Sequence, residues 1–295
     1  MALNDRLRTF YRARRDMTSV SAEVTPVPIH RWRFLIDPAY SWFGDFASNF
    51  HSPDVSFWEE NEDDKPPVYW MASLHLSEVR EPEAVRDRAC ALKSILDGAL
   101  HLGVGSMFGE FHPFTFRELW SQNEENAMDK PHNSGFRHPN LVVEPFCSDW
   151  AQWMGKWKSH GSPFSHFESA MLWMARVDET TRGMLQFLGA NGVTWISLYG
   201  LVDFMRTAGK TPADIAGMAS ASKAKVDLFL RTANNFAAIG PFCRHGDLGN
   251  EPPKVPMMLE EARVLVFLAA KAFLTERLNQ SGVRATYEAE RKRQR

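Results

Sequence analysis

The spacing of apolar residues changes near the middle of this chain, and the change limits the folds that the chain can adopt. Before residue 147, short β-branched and aromatic runs are separated by Pro, Gly and Asn. After residue 161, apolar residues recur every three or four positions, as they do in amphipathic helices. The sequence therefore predicts an α+β domain over residues 1–150, an all-α bundle of four or five helices over residues 160–280, and a charged tail over residues 281–295.

In the N-terminal domain, the pattern predicts a small sheet with at least one helix packed on it. Residues 1–16 favour an arginine-rich amphipathic helix, and the apolar periodicity after Pro82 favours a long helix that ends near Gly103. We interpret the acidic, proline-closed segment 59–67 as a solvated hairpin tip. The predicted strands cover residues 29–36, 68–76, 106–116 and 140–146.

In the C-terminal half, capping residues and glycines mark the predicted helix ends. A capping box at residues 165–168 begins a helix that is predicted to continue through Leu188, until Asn191-Gly192 ends it. The later helices are predicted to begin at Thr194 and after Thr211, to include residues 226–233, and to cover residues 260–278. Several helices joined by short loops are typical of a bundle.

Composition narrows the classes of function. The formal net charge of −2 argues against a protein whose whole surface binds nucleic acid, because that mode needs a basic excess; local basic patches stay open. The 3 cysteines are widely separated, which favours neither a disulfide framework nor a cysteine-rich zinc site. The first residues lack the apolar segment of a secretion signal, no window reaches the apolar length of a membrane span, and no nucleotide-binding or metal-hydrolase motif appears. We therefore predict a cytoplasmic protein with no metal, no cofactor and no membrane partner.

The densest group of chemically capable side chains follows the apolar-periodic helix that begins near Val226. Polar residues flank the buried face of this helix, and a polar turn follows the break at Gly240-Pro241. The helix residues are Arg231, Thr232, Asn234 and Asn235, and the turn residues are Arg244, His245 and Asp247.

The C-terminal half resembles the HEPN superfamily, a group of small helical bundles found in bacterial toxins, phage-defence proteins and CRISPR-associated nucleases. The resemblance covers roughly residues 163–278 and rests on the polar helix, the helix-terminal His245-Gly246 and the acidic start of the last helix at Glu260-Glu261-Ala262. The strings Thr232-Ala233-Asn234-Asn235, Arg244-His245-Gly246, Pro256-Met257 and Glu261-Ala262 are also similar to a widespread group of bacterial proteins with an aromatic-rich N-terminal domain.

The resemblance implies a conflict or phage-defence protein that cleaves or binds RNA as a homodimer, without metal. In such chemistry an imidazole moves protons to and from the ribose oxygens, and a guanidinium stabilises the phosphorane charge. Only the histidine position carries over from the family, and it implies catalysis by His245. We predict Arg244 as the arginine that acts with it, and RNA-binding or supporting roles for Arg231, Thr232, Asn234, Asn235 and Asp247. The N-terminal domain would sense a trigger or hold a protein partner.

This chain departs from the family pattern at one position. Catalytic members have an arginine four to six residues before the histidine, whereas residues 239–241 are Ile-Gly-Pro. Arg231 lies too far upstream, and Arg244 is adjacent to His245. A first alternative is therefore an interaction protein in which Arg244 and His245 form a structural cap that pairs with Asp247 or Glu261.

A second alternative is DNA binding. Residues 211–230 resemble a helix-turn-helix, with Ala216 at the helix crossing, Ser220 in the turn and Val226 buried in the second helix. In that arrangement Ser222, Lys223 and Lys225 would face a major groove.

Overall fold

The computed structural model describes residues 31–38, 43–50, 52–61, 66–105, 113–121, 131–132, 138–148, 162–246 and 249–293. The chain divides into two compact units. The first comprises Met1–Lys93 and Glu110–Trp173, and the second comprises Ser94–Gly109 and Met174–Arg295. The predicted fold class, an α+β region followed by a helical region, is confirmed. The helix predicted over residues 1–16 lies outside the described residues.

A four-stranded antiparallel sheet forms the frame of the first unit in the described part of the chain. Its strands, in the order β2-β3-β1-β4, are β1 (Trp32–Asp37), β2 (Ser56–Glu60), β3 (Val68–Ala72) and β4 (Thr115–Ser121). On the central strand β1, alternate residues Trp32, Phe34 and Ile36 are buried, because successive side chains of a strand point to opposite faces. Phe34 lies opposite Met71 on β3 and Leu119 on β4, which are also buried.

Aromatic rings and one helix pack around β2 in this unit, and a second helix passes from this unit into the other at Ser94. Helix α1 (Phe43–Asn49) places Phe43 and Phe46 against Phe57 of β2, with ring centroids 5.7 and 5.4 Å apart. Helix α2 (Pro82–Leu100) continues into a π-type turn over His101–Gly105, close to the end predicted at Gly103. Aromatic side chains of this region therefore pack together in the core around β2.

Three of the strand predictions are corrected by the structure. Residues 140–146 form a loop, because the amide of Asn140 donates to Asp87 at 3.0 Å and the amide of Val142 donates to the Asn140 side chain at 3.1 Å. The strand predicted over residues 68–76 ends at Ala72, because Ser73 caps a 3₁₀ turn over Leu74–Leu76. The strand predicted over residues 106–116 begins at Thr115 instead, and residues 106–112 lie outside the described residues.

The second unit is helical. Its helices, with α3 spanning the boundary between the units, are α3 (Phe167–Ala175), α4 (Glu179–Asn191), α5 (Trp195–Thr207), α6 (Pro212–Met218), α7 (Lys223–Ala233), α8 (Phe236–Ile239), α9 (Leu259–Gln280) and α10 (Val283–Arg293). The helix starts predicted at Thr194 and after Thr211 are confirmed, and both residues are N-caps, since each hydroxyl accepts from the amide three residues later. The helix predicted through Leu188 is interrupted, because Asp178 caps α4 by accepting from the amide of Thr181 at 3.0 Å.

Within the second unit, the end of α2 and helix α4 approach each other backbone to backbone. A Cβ atom on Gly98 would lie 2.0 Å from the carbonyl oxygen of Leu185, and one on Gly189 would lie 1.8 Å from that of Ser94. Both positions therefore require glycine, because any side chain would force the two helices apart.

The C-terminal segment is ordered into a helix. Residues predicted as a charged tail form α10, in which Tyr287 is 3% exposed. Among the described residues, no helix combines the length and apolar character needed to cross a membrane.

Candidate functional site

The predicted site surrounds the end of α7, which stops before Asn234 and Asn235, two residues that the sequence analysis placed on the helix. Ala233 is the last helical residue, and Asn234 follows as the C-cap. Asn235 begins the short α8 by accepting from the amide of Ala238 at 2.9 Å, and its Nδ2 donates to the carbonyl of Asn250 at 2.8 Å. The Asn235 side chain therefore ties α8 to the segment that precedes α9.

Two further predicted residues also bind local backbone. Thr232 is buried; its hydroxyl donates to the carbonyl of Leu228 at 2.9 Å and accepts from the amide of Met257 at 3.2 Å. Asn234 donates from Nδ2 to the carbonyl of Leu230 at 3.0 Å, while its Oδ1 is buried without a hydrogen-bond partner among the described residues. The side chains of Thr232, Asn234 and Asn235 thus hold the chain around the end of α7 in place.

Arg244 returns to the end of α7 and reaches α5. Its amide donates to the carbonyl of Ala233 at 3.0 Å. Its guanidinium carbon lies 4.3 Å from the ring centroid of Tyr199, and its Nη2 lies 3.1 Å from Oδ2 of Asp203. Because Tyr199 and Asp203 are four residues apart on α5, they share one face of the helix and together fix the guanidinium.

A second arginine joins this arrangement from α5. Nη1 of Arg206 lies 3.5 Å from Oδ1 of Asp203, so the two oxygens of one carboxylate hold two guanidinium groups. The side chains of Arg206 and Arg244 remain 48% and 38% exposed, which leaves donors of both directed to solvent. Two guanidinium groups and one carboxylate carry a formal charge of +1, so this surface attracts anions.

His245 extends the same turn and is exposed. Its carbonyl accepts a hydrogen bond from the thiol of Cys243, which is buried, so the backbone beside the imidazole is held while the ring faces solvent. Arg231 is also exposed, and Asp247 lies outside the described residues. We refer to Asp203, Arg206, Arg244 and His245 as the Asp203 cluster.

The surface beside the cluster is an open depression. It is lined by residues at the end of α5, among them Asp203 and Arg206, and by Lys210-Thr211-Pro212 at the start of α6. Lys210 pairs with Glu276 of α9 at 3.0 Å. An open, polar depression suits an extended polymer better than a small cofactor, because cofactor sites are concave and mostly apolar. No group of three or more His, Cys, Asp or Glu side chains in the described ranges is arranged to hold a metal ion.

Sequence reasoning missed Tyr199, Asp203 and Arg206. Their spacing on an amphipathic helix placed them on one face, which is a signal present in the sequence. The identity of the segment that packs against this face depends on the path of the chain after Gly240, and no local pattern predicts that path.

Helices α6 and α7 are joined by a short turn, in the segment that resembles a helix-turn-helix. Ser220 in the turn has a φ of 51°, and it alone among the described non-glycine residues has a positive φ. Ala216 and Val226 are 3% and 1% exposed, and the amide of Ala221 donates to the carbonyl of Ala216 at 2.8 Å. Lys223 and Lys225 are exposed at the start of α7.

In comparisons with known proteins, no family model, no curated protein and no solved structure matches this chain.

Proposed function

We propose that the second unit binds single-stranded RNA at the Asp203 cluster and cleaves it, with His245 as the proton-transfer residue. The observation that carries the proposal is the carboxylate of Asp203, which holds the guanidinium groups of Arg206 and Arg244 side by side while both remain part-exposed. Fixed, planar donors of this kind match the oxygens of a phosphodiester. The residues four to six positions before His245 include no arginine. In the proposed site, Arg206 of α5 supplies the second cation beside Arg244.

The proposed reaction is transesterification at phosphorus. The ribose 2′-hydroxyl loses a proton and attacks the phosphorus, and the 5′-oxygen leaves with a proton. His245 is exposed and able to carry these protons, and the two arginines stabilise the charge on the phosphorane oxygens. The products are a 2′,3′-cyclic phosphate and a 5′-hydroxyl. Both oxygens of Asp203 bind arginine, so the cluster offers no carboxylate to a magnesium ion, and we expect cleavage in EDTA.

Because the reaction has two proton transfers and each chain contributes one histidine to the cluster, we also propose that the active form is a homodimer. Val264 and Leu268 lie one turn apart on α9 and are 44% and 46% exposed, so they offer an apolar contact between chains. Sedimentation of Leu268→Glu should show a monomer with little RNA cleavage. A dimeric or fully active variant would contradict this part of the proposal.

The experiment compares RNA binding with RNA cleavage. His245→Ala should bind single-stranded RNA within about threefold of the wild type, yet cleave it at least about a hundredfold more slowly. Arg244→Ala and Arg206→Ala should weaken both binding and cleavage, since each removes a phosphate contact.

Asp203→Asn separates positioned charge from charge alone. This variant makes the surface more positive but releases both guanidinium groups, so cleavage should fall even where binding is maintained. Faster cleavage by Asp203→Asn would mean that simple attraction suffices. If the wild type neither binds nor cleaves RNA, the turn is a structural cap that holds α5 against the end of α7.

The geometry of the α6–α7 turn favours DNA binding as a second candidate function. Ser220 adopts the backbone conformation that a helix-turn-helix requires at that position, and Lys223 and Lys225 begin the second helix. Lys223 is partly neutralised, since its Nζ lies 2.7 Å from Asp227. Exchanging both lysines for glutamate should abolish binding to duplex DNA and leave RNA cleavage within about twofold of the wild type. If the wild-type protein does not bind duplex DNA and the exchange removes RNA cleavage, the DNA-binding candidate is rejected.

A further inference from the structure

Three side chains of the first unit form a buried chain of polar contacts. His75 lies in the 3₁₀ turn Leu74–Leu76, Asp54 precedes β2, and Cys147 lies in segment 138–148. Nε2 of His75 is 2.9 Å from Oδ1 of Asp54, and Nδ1 is 3.3 Å from Sγ of Cys147. The exposed fractions of His75, Asp54 and Cys147 are 1%, 0% and 3%.

The hydrogen bonds define the tautomer of His75. The backbone amide of Cys147 lies 3.2 Å from Nδ1, and because an amide can only donate, Nδ1 must be an acceptor. The ring proton therefore belongs on Nε2, where it donates to the carboxylate of Asp54. The lone pair of Nδ1 faces both the amide and the thiol of Cys147.

The surroundings hold the imidazole and the carboxylate in place. The hydroxyl of Ser73 donates to the carbonyl of Asp54 at 2.6 Å and accepts from the amide of His75 at 3.1 Å. The amide of Asp54 donates to the hydroxyl of Ser52 at 3.1 Å. The ring of Phe146 meets the imidazole edge-on, with centroids 5.2 Å apart. These contacts orient the ring, so its nitrogens stay aligned with Asp54 and Cys147.

The order of the three groups indicates what they can do. The imidazole lies between the sulfur and the carboxylate, so the three do not converge on one point as ligands of a metal ion would. A thiol facing a ring nitrogen whose opposite nitrogen is held by a carboxylate is the arrangement of nucleophile, base and orienting acid. Enclosure at 3% exposure excludes peptides and nucleic acids, so a reactant of Cys147 must be small and uncharged.

We propose that Cys147 is a nucleophilic thiol, activated by His75 and Asp54, and that its substrate is hydrogen peroxide or another small hydroperoxide. The thiol proton passes to Nδ1 of His75 and displaces the hydrogen bond from the Cys147 amide. The sulfur attacks one peroxide oxygen, the O–O bond breaks, and the imidazolium returns the proton to the departing oxygen. A thiol and hydrogen peroxide become a sulfenic acid and water: sulfur loses two electrons and the peroxide gains them.

The test uses the three cysteines of one chain as internal comparators. The full-length protein is treated with hydrogen peroxide, sulfenic acid is trapped with dimedone, and mass spectrometry follows Cys90, Cys147 and Cys243 separately. If exposure alone set the rates, the half-buried Cys90 would lead and Cys147, at 3% against 7% for Cys243, would be slowest. We expect the reverse, with Cys147 leading by about tenfold.

Two variants separate activation from packing. Asp54→Asn should slow Cys147 by about tenfold, because the imidazolium loses its counter-charge. Asp87→Asn is the matched control: it changes another buried carboxylate, which holds segment 138–148 through Asn140, and should leave the Cys147 rate within about twofold of wild type.

Either of two results would overturn the proposal. One is trapping in the order of exposure; the other is faster trapping in Asp54→Asn, which would show that the three side chains only seal the site. If thermal melting shows that Asp54→Asn does not fold, the order of the three cysteines in the wild type decides the question.

Discussion

The two units place histidine in opposite surroundings. His75 is 1% exposed and has partners on both ring nitrogens, whereas His245 is exposed and its ring makes no hydrogen bond to a described residue. Burial of a carboxylate with an imidazole costs desolvation, which only a full set of partners offsets. An exposed imidazole avoids that cost and stays open to ligands. Substitutions near His75 should therefore affect stability first, and substitutions near His245 should affect binding and catalysis.

The largest expected contrast is between the two histidine substitutions. His75→Ala leaves Asp54 buried without its imidazole partner and should lower the free energy of unfolding by about 4 kcal/mol. His245→Ala should change it by less than about 0.5 kcal/mol. Urea unfolding of both variants measures the difference. Equal losses of unfolding free energy in the two variants would contradict this expectation, because they would make His245 a structural residue.

The next contrast tests the close packing of α2 against α4 in the second unit. Gly189→Ala places a Cβ 1.8 Å from the carbonyl oxygen of Ser94 and should cost about 3 kcal/mol of stability. Gly217→Ala, also helical, meets nothing within 4 Å and should stabilise the protein by about 0.5 kcal/mol. Thermal unfolding of the pair gives the answer. A Gly189→Ala protein as stable as the wild type would mean that α2 and α4 can separate without cost.

A smaller effect is expected within the cluster. Arg244→Ala removes the part-exposed pair with Asp203 and the contact with the Tyr199 ring, and should cost about 1 kcal/mol. The control, Arg231→Ala, changes an exposed side chain and should cost less than about 0.5 kcal/mol. A loss of several kcal/mol for Arg244→Ala in urea unfolding would favour the structural-cap alternative over the RNA proposal.

The smallest effect concerns acid pH. Burial raises the pKa of Asp178, but hydrogen bonds from Arg277 and Thr181 outweigh it, and the net pKa is lowered. A carboxyl whose pKa is lowered by folding stabilises the folded protein at pH values above the ordinary pKa of the group. That stability is lost as the pH falls through the folded pKa.

Unfolding of Asp178→Asn across acid pH tests this linkage. At neutral pH the variant should melt about 2 °C lower than the wild type. The difference should shrink as the pH falls below about 4, because the wild-type carboxyl becomes neutral as well. A difference that stays constant with pH would assign the effect to the cap of α4 rather than to the charge.

The local elements were the most predictable part of the molecule. The helix starts at Thr194 and Thr211 were predicted correctly, because a helix start depends on contacts between residues three apart. The loop at residues 140–146 was wrongly predicted as a strand. Two of its amides donate to the side chains of Asp87 and Asn140, and apolar spacing does not indicate such acceptors. The alternation on β1 was informative because one face of the sheet is buried.

The candidate sites were less predictable. Arg244 and His245 were found because they follow a helix end, but Asp203 and Arg206 lie about forty residues earlier and meet Arg244 only through folding. Thr232 and Asn235 were assigned to the flanks of α7, yet both are buried and bind backbone near α9.

The sequence alone determined the alternation on β1, the helix starts at Thr194 and Thr211 and the change from sheet to bundle, since each depends on residues within a turn or two of one another. The tertiary structure decided which polar groups share a site. It placed Asp54, His75 and Cys147 in one buried chain of contacts, although 72 residues separate His75 from Cys147. Such contacts form when distant segments are buried together, and the partner of a polar side chain is then chosen by the path of the backbone.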